Sequence, residues 1–280
     1  MEQVEHITFG NKSMQAARDI GFGRIVQRHS SGKIEEFGGL SFDNMQTAWS
    51  PEANVTVSLI NPSPINGICN KIAIAAGFTT GLAASRNTVD PATGLAWNLS
   101  GYAAIGLFVK SSVAVAAGAL QIGVSETADM GGSPVWMDLP ALEANVWKYC
   151  SVEFTGIGTA RDAIVSVGLN VVTDSGAQDV YIDDIGVGAL FRGIAGMSAM
   201  EEIVLRSGTA DTYTEDTSAL VITAGMANAE LAAGITCVAE QRLYPIPGGK
   251  LTTTEVTMPG RPIYATEDQA TAAGRVGVIF

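Results

Sequence analysis

Between Trp147 and Val187 the chain alternates large and polar positions in three successive runs, and the rest of the sequence is organised around them. Trp147 to Thr155 alternates large with polar residues, Ala163 to Val172 repeats the apolar set Ile164, Val165, Val167, Leu169 and Val171, and Val180 to Val187 closes the series. A period of two is the signature of strands, so this stretch predicts three β-strands. Gly156, Gly158 and Thr159 separate the first pair and Asp174-Ser175-Gly176 the second, which is turn chemistry in which glycine takes a positive φ at little cost.

The same reading upstream predicts strands at Leu40–Phe42, Val55–Ile60 and Ile68–Ala75, with joints at Ser50-Pro51, Asn61-Pro62 and Asn66-Gly67. Thr79 to Gly94 reads as a long connection, followed by strands at Leu95–Leu99, Ala103–Lys110 and Leu120–Ser125. About eight short strands with turns between them suit a two-sheet sandwich. A Gly/Ala-rich passage from Phe191 to Met200 marks a boundary near residue 190. Beyond it, strands are expected at Leu220–Thr223, Ile235–Ala239, Leu251–Val256 and Arg275–Ile279, and a helical turn at Met226–Ala233. Residues 1–37 are broken by Gly10, Gly21, Gly23 and Gly32, with room only for a helical turn over Ser13–Asp19 capped by Ser13. This segment reads either as an extended arm ordered by a partner or as a first strand of the sandwich.

Composition narrows the function. The 280 residues carry 16 basic and 28 acidic side chains, a net charge of −12, and no window gathers Lys and Arg as a phosphate-tracking surface requires; nucleic acid is not an expected partner. The most apolar window, Gly101 to Val124, is interrupted by Lys110, Ser111, Ser112 and Gly118 and reads as two buried strands rather than a membrane span. Met1 to His6 is acidic and polar, unlike a secretion signal, so synthesis and assembly in a host cytoplasm are expected. Cys69, Cys150 and Cys237 lack the close paired spacing of a zinc or redox motif and read as small buried hydrophobes.

The strand beginning Trp147-Lys148-Tyr149, the Val167-Gly168-Leu169 strand and the closing Val180-Tyr181-Ile182-Asp183-Asp184-Ile185 resemble the end of a galactose-binding-like β-sandwich, a family rich in carbohydrate-binding modules. The resemblance extends through Phe42-Asp43-Asn44, Trp97 to Tyr102 and Leu120 to Ser125, covering residues 38–190. It implies an all-β jelly-roll sandwich, and fold more than function. The tail, Pro262-Ile263-Tyr264 and Gly274 to Ile279, resembles the last hairpin of bacteriophage head decoration (cement) proteins.

Within this frame Asp183-Asp184 is the most suggestive acidic pair. Neighbours on a strand point to opposite faces, so the two converge only if a bulge intervenes; the resemblance implies that one of them anchors a loop or a calcium ion. His6 and His29 have no cysteine near them in sequence, no Gly-x-Ser-x-Gly occurs, and no histidine follows residue 29, so no nucleophilic triad and no enzyme are expected. Trp49, Trp97, Trp136, Trp147 and Tyr102 are the aromatic candidates for a sugar platform, and Trp136, after Gly131-Gly132-Ser133-Pro134, is the one a binding loop could present.

The combined expectation is an N-terminal arm (1–37), a jelly-roll sandwich (38–190) and a small C-terminal β-domain (191–280). The leading functional expectation is a decoration protein on the exterior of a phage capsid, bound to the major capsid protein and to copies of itself at threefold positions. Ile7, Phe9, Phe22, Ile25, Val276, Val278 and Phe280 would make its apolar contacts. The rival is a carbohydrate-binding or receptor-binding module of a phage tail or cell-surface protein, with glycan on Trp136. No cofactor is required in either case, with calcium at Asp183 and Asp184 left open.

Overall fold

The computed structural model describes residues 40–61, 63, 65, 67–154, 161–188, 231, 235–246, 250–257 and 263–265 in full, and the backbone of 10–15, 20–21, 25–28, 34–36, 202–205, 212–213, 218–224, 226–230 and 275–279. In chain order the strands are β1 (Gly10–Gln15), β2 (Ile20–Gly21), β3 (Ile25–Arg28), β4 (Ile34–Glu36), β5 (Leu40–Asp43), β6 (Ser50–Pro51), β7 (Val55–Ile60), β8 (Cys69–Ile74), β9 (Gly81–Asn87), β10 (Ala104–Ser111), β11 (Leu120–Ser125), β12 (Val135–Asp138), β13 (Trp147–Glu153), β14 (Ser166–Val171) and β15 (Gln178–Gly188). There follow β16 (Glu202–Leu205), β17 (Thr212–Tyr213), β18 (Ser218–Ala224), β19 (Met226–Glu230), β20 (Arg242–Ile246), β21 (Lys250–Thr252), β22 (Val256–Thr257), β23 (Ile263–Ala265) and β24 (Arg275–Ile279). The chain divides into two compact units, residues 40–191 with 256–258, and residues 1–39, 192–255 and 259–280.

The first unit is the expected jelly-roll sandwich. One sheet runs β22-β13-β10-β15-β8-β7 with β5 also on β15, and the other runs β12-β11-β14-β9-β6. Only β7–β8 and β11–β12 are sequence neighbours that pair; elsewhere the chain crosses from sheet to sheet, which is what packs the two faces on one core. Ile105, Leu107 and Val109 of β10, Val180 and Ile182 of β15, Ile122 and Val124 of β11 and Val167 and Leu169 of β14 lie in that core. Each such side chain contributes about 1.5–3 kcal/mol by leaving water. The window Gly101 to Val124 supplies β10 and β11, two strands as expected, and no helix among the described residues is long and apolar enough to cross a membrane.

A bulge sits at the acidic pair. Gly106 pairs with Gly186 but Phe108 pairs with Asp183, so Leu107 alone faces Asp184 and Ile185, and Asp184 takes a φ of 39°. The extra residue resets the alternation: Val180 and Ile182 point into the core before it, Ile185 and Val187 after it. Without it the second carboxylate would fall on the core face, where an unpaired charge is prohibitively costly.

The second unit holds two five-stranded sheets, β1-β18-β16-β3-β4 and β19-β24-β23-β20-β21, with β2 on β17. The segment 1–37 therefore supplies strands to this unit rather than to the sandwich. Gly10–Gln15 is a strand on β18 where a helical turn beginning at Ser13 was expected, and Met226–Glu230 is a strand on β24 where a helical turn was expected. In both places pairing with distant chain overrides a local preference for small, helix-compatible residues. The terminal strand β24 is no bare edge: β19 and β23 pair with its two sides. Gly81–Asn87, expected as connection, is a full strand between β14 and β6.

Candidate functional site

Trp136 stands on β12, an edge strand, and not on the loop that precedes it. Its register partner is Gly123 of β11, which in turn faces Gly168 of β14. A Cβ at Gly123 would lie 2.2 Å from Trp136 Cε3, 2.5 Å from Cζ3 and 2.9 Å from Cδ2, so the indole rests directly on the strand backbone and only glycine leaves room for it. The ring remains half-buried, while Trp49, Trp97 and Trp147 are 2, 4 and 5 % exposed.

On the same outer face, two residues along the strands, lies a polar row. Gln121 pairs with both Asp138 of β12 and Asn170 of β14. Asn170 Nδ2 donates to Gln121 Oε1 at 2.9 Å and Gln121 Nε2 donates to Asp138 Oδ1 at 2.8 Å. The chain of bonds fixes the orientation of both amides, and Asp138 is exposed at the end of the row.

The loop 126–134 walls the other half of this face. Ser125 Oγ donates to Gly131 O at 2.8 Å, Ser166 Oγ to Thr127 O at 2.7 Å, and Asn87 and Asp129 bond reciprocally at 2.7 Å. Met130 is buried over Gly168, where a Cβ would come within 2.7 Å of its Cγ. Asp129 and Met130 hold φ values of 54° and 55°, a conformation costing on the order of 1–3 kcal/mol per residue that persists only where surroundings enforce it. The outcome is a rigid step beside an open strip carrying Trp136, Gln121, Asn170 and Asp138. An aromatic plane beside a few fixed polar groups is the arrangement that seats a pyranose: its C–H face on the ring, its hydroxyls on the amides and carboxylate.

The other residues singled out from sequence lie elsewhere. Trp49 and Trp97 are in the sandwich core and Tyr102 packs against it. Trp147 is buried on the outer face of the larger sheet, with Lys110 Nζ 5.2 Å from its ring centroid. Asp183 is fully buried and accepts a hydrogen bond from Ser63 Oγ; Asp184 is 6 % exposed at the bulge. Among the described residues no group of three or more His, Cys, Asp or Glu is placed to hold a metal. Ile25 lies on β3 and Val276 and Val278 on β24, each strand paired within its unit. Ile7, Phe9, Phe22 and Phe280, with His6 and His29, fall outside the described residues. Cys69, Cys150 and Cys237 are buried. Burial pushes the Cys69 thiol up to about 11, reinforced by Asp183, and Cys150 up to about 12.

Gln121, Asn170 and Asp138 were not picked out from sequence. They occupy the polar phase of three separate strands, and only the register brings them into one row.

No protein-family model and no curated protein matches the chain. Among solved structures it is similar to a family 11 carbohydrate-binding module from Clostridium thermocellum in complex with a beta-1,3-1,4-mixed-linked tetrasaccharide, at 14 % identity and a TM-score of 0.38, over 54 % of this chain and 96 % of that one. A family 30 carbohydrate-binding module of a cellulosomal cellulase from the same organism matches at 8 % identity and a TM-score of 0.30, over 64 % of this chain and 98 % of that one. An exo-beta-agarase matches at 14 % identity and 0.34, over 53 % of this chain and 24 % of that one. At such TM-scores the likeness decides nothing, and the fold stands on the chain's own strand pairing.

Proposed function

We propose that this is a non-catalytic carbohydrate-binding protein whose sandwich seats a neutral glycan on the outer face of the five-stranded sheet. The observation that carries the reading is Trp136 laid on Gly123 beside the fixed row Asn170–Gln121–Asp138. Asp138, Asp129 and Glu126 outnumber the one nearby base, Arg161, in a chain of net charge −12, so a polysaccharide bearing carboxylates or sulfates is disfavoured and a neutral pyranose chain is favoured. The mixed-linked tetrasaccharide held by the family 11 module is a reasonable first probe.

Nothing in the fold, in this face or in the comparisons supports a capsid role, and the terminal strand offered for capsid contact is already paired on both sides within its own unit. Binding of native protein and Trp136→Ala to an array of neutral and acidic glycans tests the proposal. Selective retention of neutral glycans, lost in the variant, supports it; no retention, or retention unchanged by the substitution, refutes it.

A further inference from the structure

At the end of β11 and β12, beyond Trp136, the surface dips into a cleft of about 170 Å³ lined by Glu126, Thr127, Ser133, Val135, Arg161 and Ile164 among others. Val135 is one strand residue from Trp136, a step of about 3.3 Å. The two side chains point to opposite faces of β12, so the cleft opens round the end of this edge strand from the aromatic face, one residue away along the chain.

Arg161 is held rigidly. Its Nε donates to Leu99 O at 3.3 Å, its Nη2 to Tyr102 O at 3.0 Å and to Ser100 O at 3.5 Å, and its guanidinium carbon lies 4.5 Å from the centroid of the Phe154 ring. These bonds use Nε and Nη2 and leave Nη1 without a partner among the described residues. No carboxylate lies within ion-pair distance of it among the described residues, where the ion pairs are Lys71–Asp179 and Arg86–Asp43. The same cleft carries the exposed carboxylate of Glu126, at the foot of the loop that Ser125 and Ser166 pin in place. One wall therefore presents fixed N–H donors and another a charged acceptor, over apolar ground from Val135 and Ile164. A small anion would meet Arg161 but be repelled by Glu126. A pair of vicinal hydroxyls satisfies both, accepting from Arg161 Nη1–H and donating to the Glu126 carboxylate.

We infer that this cleft is a second sugar subsite, taking a pyranose of the same neutral glycan through a vicinal hydroxyl pair held between Arg161 and Glu126. The inference rests on the glycan reading of Trp136 and specifies which part of the sugar is recognised next to it.

The test is calorimetric titration of the full chain with neutral tetrasaccharides, mixed-linked β-glucan among them. Native protein is compared with Glu126→Gln, Arg161→Lys and Trp136→Ala, each first checked by thermal unfolding. Glu126 is exposed and outside the core, so Glu126→Gln stays folded even if replacing Arg161, which ties down residues 99–102, does not. Losing a hydrogen bond to a charged group lowers affinity about tenfold or more, and that is the effect expected for Glu126→Gln. A monodeoxy tetrasaccharide lacking the hydroxyl that faces Glu126 binds native protein more weakly by a similar factor, and loses nothing further against Glu126→Gln. If Trp136→Ala abolishes binding while Glu126→Gln binds as tightly as native protein, the subsite is wrong and the aromatic face stands. If Trp136→Ala binds as native, or no neutral tetrasaccharide binds, both fail.

Discussion

Adding one methyl group to Gly123 tests whether the indole of Trp136 truly rests on the strand. In Gly123→Ala the new Cβ would stand 2.2 Å from Cε3 and 2.5 Å from Cζ3 of Trp136. Carbon atoms settle at about 3.5–4.0 Å from one another, so ring and strand must separate by more than about 1 Å. Strand β11 cannot yield, since β12 and β14 bond it on both sides. The ring, on an edge strand and half-buried, is what moves. Overpacking of this kind costs about 1–3 kcal/mol, and the lower half of that range is expected because the indole can swing toward solvent. For a chain of this size such a loss lowers the melting temperature by about 2–4 °C per kcal/mol. Glycan affinity should fall far more, as the platform is pushed off the strand. The control is the double variant: once Trp136→Ala has removed the ring, Gly123→Ala should cost less than about 0.5 kcal/mol, so the two changes couple strongly. Urea unfolding gives the stabilities and calorimetric titration the affinities. Equal penalties for Gly123→Ala in the two backgrounds, or native glycan affinity in the single variant, would refute the reasoning.

Gly106→Ala makes a clash of the same closeness, 2.2 Å from Tyr149 Oη, on a central strand; we expect a loss of about 1–3 kcal/mol in denaturant unfolding, relieved in part by Tyr149→Phe, which removes the nearest atom and leaves Cζ at 2.9 Å. Asp43 is buried and held by Arg86, the Trp49 indole and the Met45 amide, and burial still pushes its carboxyl above the ordinary value. Arg86→Met should therefore cost about 3–5 kcal/mol at neutral pH and regain part of it as pH falls and Asp43 takes up a proton; a stability loss that grows with acidity would contradict this. Thiols raised to about 11 for Cys69 and about 12 for Cys150 bind protons in the folded state that the unfolded chain releases from about pH 9, so they contribute stability below that pH and lose it as pH rises through their folded values. Alkylation of both at neutral pH should require unfolding, and rapid labelling of the native protein would show the burial to be wrong.

Much of the sandwich is legible in sequence because its strands alternate large and polar residues. Val55–Ile60 and Leu120–Ser125 fall where the pattern puts them. Gly81–Asn87 is not legible, since its inward residues are Ala83 and Ala84, too small to register as a period. Met226–Glu230 and Gly10–Gln15 mislead for a related reason: neither carries a run of large apolar residues, so the choice of conformation falls to partners distant in the chain. The Asp184 bulge is a property of the pairing with β10, which no local pattern encodes. Trp136 could be singled out, but as a loop residue. The features that make it a candidate platform, Gly123 beneath it and Gln121, Asn170 and Asp138 beside it, come from cross-strand register.

Collisional quenching of tryptophan fluorescence by acrylamide, with and without glycan, reaches the central claim most directly. Of the four tryptophans, Trp49, Trp97 and Trp147 are almost wholly buried and Trp136 is partly exposed. The quenchable component should therefore belong to Trp136, vanish in Trp136→Phe, and be shielded progressively as a neutral oligosaccharide saturates the face. A glycan that binds while leaving that component fully quenchable would contradict the account.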